Sequence, residues 1–348
     1  MIYGQRPRLS SRMLSERGFI VAVGGTDEER AVDTIRRDRR RTLLVTALVA
    51  IPLIAWTLTQ MSLLSFGTQI LNGLSFGALL FFLAAGFTMI FGLLRIANLA
   101  HGGFYLMGGY VGITVTLMTG QFWIGLAAGG LAIMVLGLFV ERVLLRRIRG
   151  LEKPEVLLTI GMTFVIGDLS LWLWGGDPRV VDKPDYLKGP IQIGDSFFYP
   201  KYRLFVLASA ILLGAILFYI DRRTKIGAIV RAGVDDRETV AALGINIKAV
   251  FTAAFMFGAF IAGMSGVIGA GFLALLPGQD FEILLFALVV VIIGGLGSLE
   301  GAALGAAIVG LIDSFAKALV PELSFFTLFA PMAIILMVRP NGLLGRAP

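Results

Sequence analysis

Long apolar runs alternate with short polar segments over most of this chain. A helix needs about 20 mainly apolar residues to cross the hydrocarbon core of a bilayer. The pattern therefore predicts an all-α polytopic membrane protein. Several runs are short or interrupted by glycine, so we expect about 8–10 transmembrane helices. The ten candidate spans are 43–65, 67–94, 104–119, 121–140, 156–174, 203–220, 250–273, 281–296, 300–318 and 323–338.

The positions of the basic residues predict the orientation of these spans. Short cytoplasmic loops of membrane proteins carry an excess of Lys and Arg. With the N-terminus inside, 23 of the 30 Lys and Arg residues lie in the inner segments 1–41, 141–153, 221–248 and 339–348. An even number of spans places the C-terminus inside too, so charge and span count agree on an N-in, C-in topology.

Composition supports the membrane assignment and removes one class of partner. The chain is 57% hydrophobic and 15% charged, with a mean hydropathy of +0.86, whereas soluble domains are about a quarter charged. The net charge of +7 could suggest nucleic-acid binding. Because the basic residues fall in short loops beside apolar spans, they report topology, and we expect contact with membrane lipid and none with nucleic acid.

The residue types present exclude several kinds of chemistry. The chain has no cysteine and a single histidine, His101, so neither a thiolate nor a multi-histidine metal site is expected. It contains no P-loop motif, no HExxH motif and no evident Ser-His-Asp set. We therefore expect no catalytic residues, no metal and no cofactor in this chain, which is not predicted to be an enzyme. The lack of a cluster of intramembrane acids weakens a proton-coupled carrier without excluding it.

The pattern also divides the chain into parts. Residues 1–41 are an Arg-rich extension, expected to be cytoplasmic and too polar for a signal peptide. Residues 42–342 form the transmembrane domain, and 343–348 form a cytoplasmic tail. The outer loop 175–202 is rich in proline and glycine, which predicts turns and a short hairpin around Ile191–Phe198.

A polar island at residues 224–250 stands out within the inner loop 221–248. Its sequence RAGVDDRETVAALGI, residues 231–245, predicts a short helix on the membrane surface, followed by a turn at Gly244. A helix in this position could receive force from a soluble partner. The small residues expected to share one face of it are Ala232, Gly233, Val240 and Ala241.

A second candidate site is the segment 96–105, where Asn98 and His101 lie between apolar spans in glycine-rich sequence. Irregular backbone at membrane depth is tolerated where protein buries it or where it lines a cavity, and ionisable residues there are functional candidates. The alternative is that His101 caps a helix at the inner interface by bonding a carbonyl. Other polar residues in the spans are expected to form helix–helix hydrogen bonds; they are Asn72, Thr88, Thr159, Thr163 and Asp168.

Small residues recur at every fourth position in two spans, and this spacing predicts close helix crossings. The residues concerned are Ala259 and Gly263 in one span, and Gly297, Gly301, Gly305, Ala306 and Gly310 in or beside another.

Four blocks resemble one known family. They are NGLSFGALLFFLAAGFTMIFGLLRIANLAHGGFYLMGGYVG (72–112), RTKIGAIVRAGVDDRETVAALGINIKAVFTAAFMFGAFIAGMSGVIGA (223–270), VVVIIGGLGSLEGAALGAAIVGLIDS (289–314) and RPNGLLGR (339–346). Over roughly residues 67–346 the chain resembles the permeases of ABC transporters for branched-chain amino acids, in their LivH-like branch. It departs from them at Gly103, where relatives often carry an acid, and in residues 1–41, which have no counterpart in a typical member.

The resemblance implies a membrane subunit of an ATP-driven importer in a bacterial-type inner membrane. Such a subunit pairs with a second, related permease, two cytoplasmic ATPases that bind ATP and Mg²⁺, and a substrate-binding protein. The substrate implied is a branched-chain or other hydrophobic amino acid.

The resemblance also implies roles for particular residues. The segment 224–246 would be the coupling helix that docks on an ATPase, and the residues matched there are Arg231, Ala232, Gly233, Asp236, Glu238, Ala241 and Gly244. The bend that contains Asn98, His101 and Gly102 would lie near the translocation path. The path candidates taken together are Asn72, Asn98, His101, Gly102, Tyr105 and Thr159.

Other functions stay open at this point. The same family includes permeases for urea and for small aromatic or organic acids. A secondary carrier or channel that acts without ATPases is a different class, for which residues 224–246 would be only a loop. A scaffold protein without transport activity is a third possibility.

Overall fold

The computed structural model describes residues 59–94, 98–193, 197–323 and 326–345. Within this part of the chain, six helices are long and apolar enough to cross a membrane. The expected all-α polytopic architecture is therefore confirmed. The number of spans stays a prediction, because most of the first candidate span, 43–65, and the whole extension 1–41 lie outside the described residues.

The other nine predicted spans each coincide with a helix of the structure. In chain order the helices are α1 (Leu63–Leu94), α2 (His101–Thr119), α3 (Phe122–Phe139), α4 (Glu152–Trp174), α5 (Lys201–Arg223), α6 (Lys225–Asp235), α7 (Arg237–Ala242), α8 (Ile247–Phe272), α9 (Gln279–Gly294), α10 (Leu299–Leu319) and α11 (Phe326–Val338). Helix α3 continues through a π-helical turn, Val140–Leu145, into a last turn, Arg146–Ile148. Short 3₁₀ turns occupy Asp185–Leu187 and Pro321–Leu323.

Helix α8 packs closely against α2 and α3, and glycines make these crossings possible. A Cβ atom built on Gly263 would lie 2.5 Å from the carbonyl oxygen of Gly129, so a side chain has no room there. Gly108 of α2 faces the same glycine of α8, and Gly137 of α3 packs on Ala259. Lipid gives no hydrophobic drive for helices to associate, so this close contact stabilises the crossing by dispersion. The crossing predicted at Ala259 and Gly263 is confirmed.

The longer series of small residues, from Gly297 to Gly310, packs against two neighbours of α10. Gly305 faces α9, where an added Cβ atom would lie 2.5 Å from the carbonyl oxygen of Val290. Ala306 faces α1, where a Cβ atom added to Gly77 would lie 2.5 Å from the carbonyl oxygen of Ala306. Gly310 continues this second face. The predicted close crossings are confirmed, and the series places α10 between α9 and α1.

The outer loop contains the expected hairpin. Strands β1 (Pro190–Ile193) and β2 (Phe197–Pro200) pair antiparallel, with Pro190 opposite Pro200. Ahead of the hairpin, the amide of Arg179 donates a 2.9 Å hydrogen bond to the carbonyl of Leu275. The loop is therefore attached to the outer end of the helical bundle.

Several helix surfaces expose large apolar side chains. Trp172 of α4 is 81% exposed and Ile211 of α5 is 65% exposed. Monomeric soluble proteins rarely show broad apolar surfaces of this kind. Faces like these suit contact with lipid or with another membrane subunit.

Candidate functional site

The segment that contains Asn98 and His101 is folded into the interior of the bundle. His101 begins α2 and is fully buried. Its Nε2 lies 3.0 Å from the carbonyl oxygen of Leu83, which only accepts, so this nitrogen carries the proton and donates. The imidazole also meets the ring of Phe87 edge-on, with centroids 5.7 Å apart.

This geometry tests whether His101 caps a helix. The imidazole does bond a carbonyl, but that carbonyl belongs to the interior of α1 and the side chain does not cap α2. Its Nδ1 has no hydrogen-bond partner among the described residues. Of the alternative role considered for His101, the hydrogen bond to a carbonyl is confirmed and the helix cap is wrong, because His101 links α1 to α2.

The bend itself is held by polar contacts from two directions. Oδ1 of Asn98 accepts a 3.2 Å hydrogen bond from the amide of Ala100. The hydroxyl of Thr163 on α4 donates a 2.9 Å hydrogen bond to the carbonyl of Leu99. The Nδ2 of Asn98 is buried without a partner among the described residues. Among its described residues, the bend thus carries two unpaired polar atoms, one on Asn98 and one on His101.

Gly102 and Tyr105 pack closely against neighbouring helices. A Cβ atom on Gly102 would collide with the carbonyl oxygen of Asp280 in the first turn of α9. Tyr105 is 2% exposed and packs on Gly266 and Gly269 of α8. These contacts fix the start of α2 between α8 and α9.

The predicted path residues are therefore brought together only in part. Asn98, His101, Gly102 and Tyr105 cluster at the start of α2, while Thr159 bonds to carbonyls of its own helix. Asn72 lies apart from them and contacts Arg203 of α5. Their role in translocation stays a prediction.

The hydrogen bonds expected between helices form for some of the polar residues. Asn72 on α1 bonds to Arg203 on α5, whereas Thr163 bonds to the bend before α2 and Thr159 to its own helix. The Thr88 hydroxyl is buried without a partner among the described residues, and Asp168 is exposed. Sequence reasoning also missed Asp280, which is 3% exposed and faces Gly167 of α4. An acid directly before the apolar run 281–296 was the available signal.

The prediction of a single helix over residues 231–245 of the inner loop is wrong. Two helices, α6 and α7, are separated at Asp236, whose backbone is extended with φ −146° and ψ 100°. The Asp236 carboxylate caps α7 by accepting hydrogen bonds from the amides of Glu238 and Thr239, each 3.0 Å long. An aspartate is a strong N-cap, so it starts a new helix where helix periodicity alone predicts continuation. The turn at Gly244 is confirmed, with φ +82°.

Hydrogen bonding also sets the charge state of this cap. The Thr239 hydroxyl donates a 2.5 Å hydrogen bond to the Asp236 carboxylate. This bond, together with the Thr239 amide, lowers the pKa of Asp236 below its ordinary value of 3.8. Asp236 is therefore charged at neutral pH, which suits the N-terminus of α7.

The small residues of the inner loop do not share one face, so that expectation is wrong. Gly233 and Val240 are buried, whereas Ala232 and Ala241 are exposed. A Cβ atom on Gly233 would lie 2.8 Å from Cδ1 of Ile247, at the start of α8. Gly233 thus lets α6 pack against α8 and does not face outward.

Apolar side chains form part of the exposed surface of this loop. Ile226 is 65% exposed and Leu243 is 74% exposed, and the four alanines Ala228, Ala232, Ala241 and Ala242 are exposed with them. The charged residues matched by the resemblance are placed differently. Arg231 turns back to the end of α5, where it pairs with Asp221 at 2.9 Å, while Asp236 and Glu238 are exposed.

A buried ion pair near the inner ends of α3 and α8 escaped the sequence analysis. Glu141 lies in the π-helical turn and is fully buried; Arg149 donates a 2.6 Å hydrogen bond to it. The Thr252 hydroxyl of α8 donates to its other oxygen at 2.7 Å. π-Helical turns inside α-helices are often found at functional sites. The only signal in the sequence was an acid at the edge of an Arg-rich inner loop.

At the outer end of the bundle, cations lie over aromatic rings. The Arg203 guanidinium donates to Oδ1 of Asn72 and lies 5.0 Å from the ring centre of Phe272. Lys183 of the outer loop lies 4.6 Å from the ring centre of Tyr202. A cleft of about 370 Å³ beside them is lined by Lys183, Leu187, Lys188, Gly189, Pro190, Pro200 and Tyr202.

A mainly helical bundle, with six helices in the described part of the chain that are long and apolar enough to cross a membrane, defines a multi-pass membrane protein. A family model described as "branched-chain amino acid transport system / permease component" matches residues 69–338. The chain belongs to this family of ABC transporter permeases.

Individual relatives match over most of their length. The high-affinity branched-chain amino acid transport system permease protein BraD of Pseudomonas aeruginosa is 29% identical, over 80% of this chain and 95% of BraD. LivH of Escherichia coli K12, described in the same words, is 29% identical over 81% of this chain and 96% of LivH. LivM of the same organism is 27% identical over 75% of this chain and 67% of LivM.

One solved structure also matches. PsaBC from Streptococcus pneumoniae in complex with Fab has a TM-score of 0.44 and 12% identity, covering 83% of this chain and 94% of that chain. A similarity this low adds nothing to the family assignment.

Proposed function

We propose that this chain is the membrane-spanning permease subunit of an ATP-driven importer for a branched-chain or other hydrophobic amino acid. Membership in the permease family supports transport, and the descriptions of BraD and LivH support this substrate class. The chain works with a second, related permease, two cytoplasmic ATPases and a substrate-binding protein, in a bacterial-type inner membrane. ATP and Mg²⁺ bind to the ATPases, and this chain supplies the route for the substrate.

The observation that carries the proposal is the apolar surface of the inner loop. Leu243 and Ile226 are large, exposed apolar residues on a segment that is otherwise polar and lies at the cytoplasmic side by the charge rule. Exposed apolar side chains of this kind, on a segment that also carries charges, support a docking role for the loop. The positions of α6 and α7 suit a soluble partner that presents an apolar cleft to the membrane surface.

The contacts of the same loop suggest how movement would reach the bundle. Arg231 attaches α6 to the end of α5 through Asp221. On the opposite side, Gly233 packs against Ile247, and Ile247 begins α8. A push on α6 is therefore passed to two helices, and α8 carries it to α2 and α3, with which it is closely packed.

This arrangement supports alternation between outward- and inward-facing forms. Closely packed interfaces have discrete arrangements and do not deform continuously. Closure of the ATPases on ATP would shift α6 and rock α8, and the change at the inner end would alter the outer end of the same rigid helix. In this way the free energy of ATP binding drives the movement of the permease.

Co-purification tests this proposal directly. The chain is tagged, extracted in mild detergent with and without crosslinking, and analysed by quantitative mass spectrometry. Stoichiometric recovery of a second permease and of P-loop ATPases is the expected result. Recovery of the chain alone or as a homo-oligomer, even after crosslinking, would contradict the importer and favour an autonomous carrier or channel.

The substrate is tested separately, because the same family would suit urea or a small aromatic or organic acid. Uptake by proteoliposomes that contain the complete complex is measured for L-leucine, L-valine, phenylacetate and urea. Saturable, ATP-dependent uptake of leucine or valine is expected. Uptake of urea alone would be consistent with an importer but would contradict an amino acid as its substrate.

A further inference from the structure

Arg203 and Lys183 are among the cations at the outer end of the bundle that have no acidic partner among the described residues. Arg203, in the first turn of α5, bonds only to the neutral amide of Asn72, and Lys183 of the outer loop forms no ion pair. Nearby cations behave differently: Lys317 pairs with Asp313 at 2.7 Å, and Lys188 pairs with Asp182 and Asp185. Lys201 has no acidic partner in the described part of the chain either, but Arg203 and Lys183 each also lie over an aromatic ring, that of Phe272 and that of Tyr202.

These two cations also act on each other. Both are half-buried. Partial burial and, second, the positive charge of Arg203 lower the pKa of Lys183. Like charges brought together without a counter-ion are unfavourable, and an anion bound between or beside them would relieve the repulsion.

The guanidinium of Arg203 is positioned to bind an anion. Its position is fixed by Asn72 on α1 and by the ring of Phe272, whose centre is 5.0 Å away. The single bond to Asn72 leaves most of the N–H donors of the guanidinium for another acceptor. Arginine binds carboxylates through two parallel hydrogen bonds, and a fixed guanidinium loses little freedom when it does so.

An aromatic surface continues from this guanidinium. Phe272 is followed by Phe76 at 6.5 Å between ring centres, and Phe76 meets Phe286 edge-on at 6.1 Å. All three phenylalanines are half-buried, so part of each residue stays accessible. A ligand with a carboxylate at one end and an apolar group at the other would match a cation that adjoins apolar rings.

We propose that Arg203, positioned by Asn72 and Phe272 and assisted by Lys183, binds the carboxylate of the transported substrate at the outer mouth of the path, with its apolar part on Phe76 and Phe272. This inference rests on the proposed function and narrows it. It selects carboxylate-bearing substrates, such as hydrophobic amino acids and aromatic acids, over neutral urea. Among the predicted path residues it assigns Asn72 a positioning role.

The test measures binding without transport. The complex is purified with its partner subunits but without substrate-binding protein, placed in nanodiscs, and titrated with L-leucine, L-leucinamide, phenylacetate and urea. Leucinamide has the side chain and ammonium of leucine and lacks the carboxylate. We expect saturable binding of leucine or phenylacetate and at least tenfold weaker binding of leucinamide and urea.

Variants assign the effect to the residue. Arg203→Gln should weaken leucine binding roughly 10- to 100-fold, because a charge-assisted bidentate contact is lost, and should leave leucinamide binding unchanged. Arg203→Lys should restore part of the affinity. Lys201→Gln removes the same charge two residues earlier on α5, from a residue that forms no ion pair in the described part of the chain, and should bind leucine like wild type.

Several results would overturn this site. They are equal affinity of wild type for leucine and leucinamide, no saturable binding of any carboxylate, or equal losses in Arg203→Gln and Lys201→Gln. Wild-type leucine binding by Arg203→Gln would also overturn it; if that variant then fails to capture the substrate-binding protein, Arg203 serves docking. If it instead loses retention of anionic lipid, Arg203 anchors a headgroup.

The outcomes separate this inference from the proposed function. If the chain binds carboxylates selectively but recruits no ATPase, the Arg203 site is supported and the importer function is contradicted. If the complex is complete and active but shows no preference for carboxylates, the importer function is supported and the Arg203 site is contradicted. If Arg203→Gln does not assemble, the leucine-to-leucinamide ratio of wild type and of Arg203→Lys decides.

Discussion

The hydroxyl of Thr252 donates a 2.7 Å hydrogen bond to Oε2 of Glu141, a residue 111 positions earlier in the chain. Thr252 lies near the start of α8, just after the inner loop, and Glu141 lies in the π-helical turn at the end of α3. Arg149 occupies the other carboxylate oxygen and lies 5.8 Å from the ring centre of Phe251. This cluster joins the inner ends of α3 and α8 where force from the loop would enter.

Replacing Glu141 should be costly. Glu141→Gln leaves Arg149 without its counter-charge, and breaking a buried ion pair costs roughly 3–5 kcal/mol. We expect a clearly lower midpoint of thermal unfolding for the purified chain in detergent. Glu300→Gln is the matched control, since Glu300 and its partner Arg222 are 47% and 53% exposed and such pairs contribute about 0–1 kcal/mol. Equal shifts in the two variants would show that the buried cluster does not stabilise this region.

The crossing of α8 with α3 should tolerate no side chain. Gly263→Ala places a Cβ atom 2.5 Å from the carbonyl oxygen of Gly129, and backbone cannot move aside easily. Overpacking of this kind costs roughly 1–3 kcal/mol. The measurement is the fraction of monodisperse protein by size-exclusion chromatography after heating.

Gly161→Ala on α4 is the control for that crossing. No atom lies within 4 Å of a Cβ atom added there, and alanine favours a helix over glycine by about 1 kcal/mol. This variant should be as stable as wild type or more so. A loss in Gly161→Ala as large as that in Gly263→Ala would mean that helix packing is not the cause.

The Asp236 cap should decide whether α7 forms. Asp236→Ala removes the acceptor for two amides, and loss of an N-cap costs about 1 kcal/mol. We expect faster hydrogen–deuterium exchange across residues 237–242 and unchanged exchange in α8. Thr239→Val removes the side-chain hydrogen bond to Asp236 and should produce a smaller effect. Unaltered exchange in Asp236→Ala would contradict the capping role.

The pH dependence of this cap follows from the direction of the pKa shift. The pKa of Asp236 is lower in the folded loop than its ordinary value of 3.8. The cap is therefore fully stabilising above that ordinary value and is lost only as pH falls through the lower, folded pKa. Exchange in α7, corrected for its intrinsic pH dependence, should stay constant between pH 8 and pH 5. A rise in corrected exchange within that window would contradict the shift.

Docking and internal packing of the inner loop can be separated by two substitutions. Leu243 is 74% exposed, so Leu243→Asp should leave thermal stability unchanged while it reduces recovery of the ATPases and uptake at least tenfold. Gly233 is buried against Ile247, so Gly233→Arg should lower uptake together with the stability of the loop. Wild-type uptake in Leu243→Asp would count against the docking surface.

Much of the architecture could be predicted from the sequence because it depends on local properties. The predicted apolar runs coincide with helices α1 to α5 and α8 to α11, and the proline-rich and glycine-rich loop contains its hairpin. The small-residue spacing of Gly263 and Gly305 marks true crossings. The break at Asp236 was missed because capping competes with helix periodicity and depends on the side chain's own hydrogen bonds.

The sequence by itself determined that this is a helical membrane protein, where its polar loops lie, and which family its blocks resemble. Only the tertiary structure decided which polar groups meet. It paired Glu141 with Thr252 across 111 positions and Asn72 with Arg203 across 131. It also turned His101 toward Leu83 and Gly233 toward Ile247. Hydropathy and periodicity act over one or two turns, whereas these contacts depend on how distant helices cross, and close packing at glycines sets those crossings.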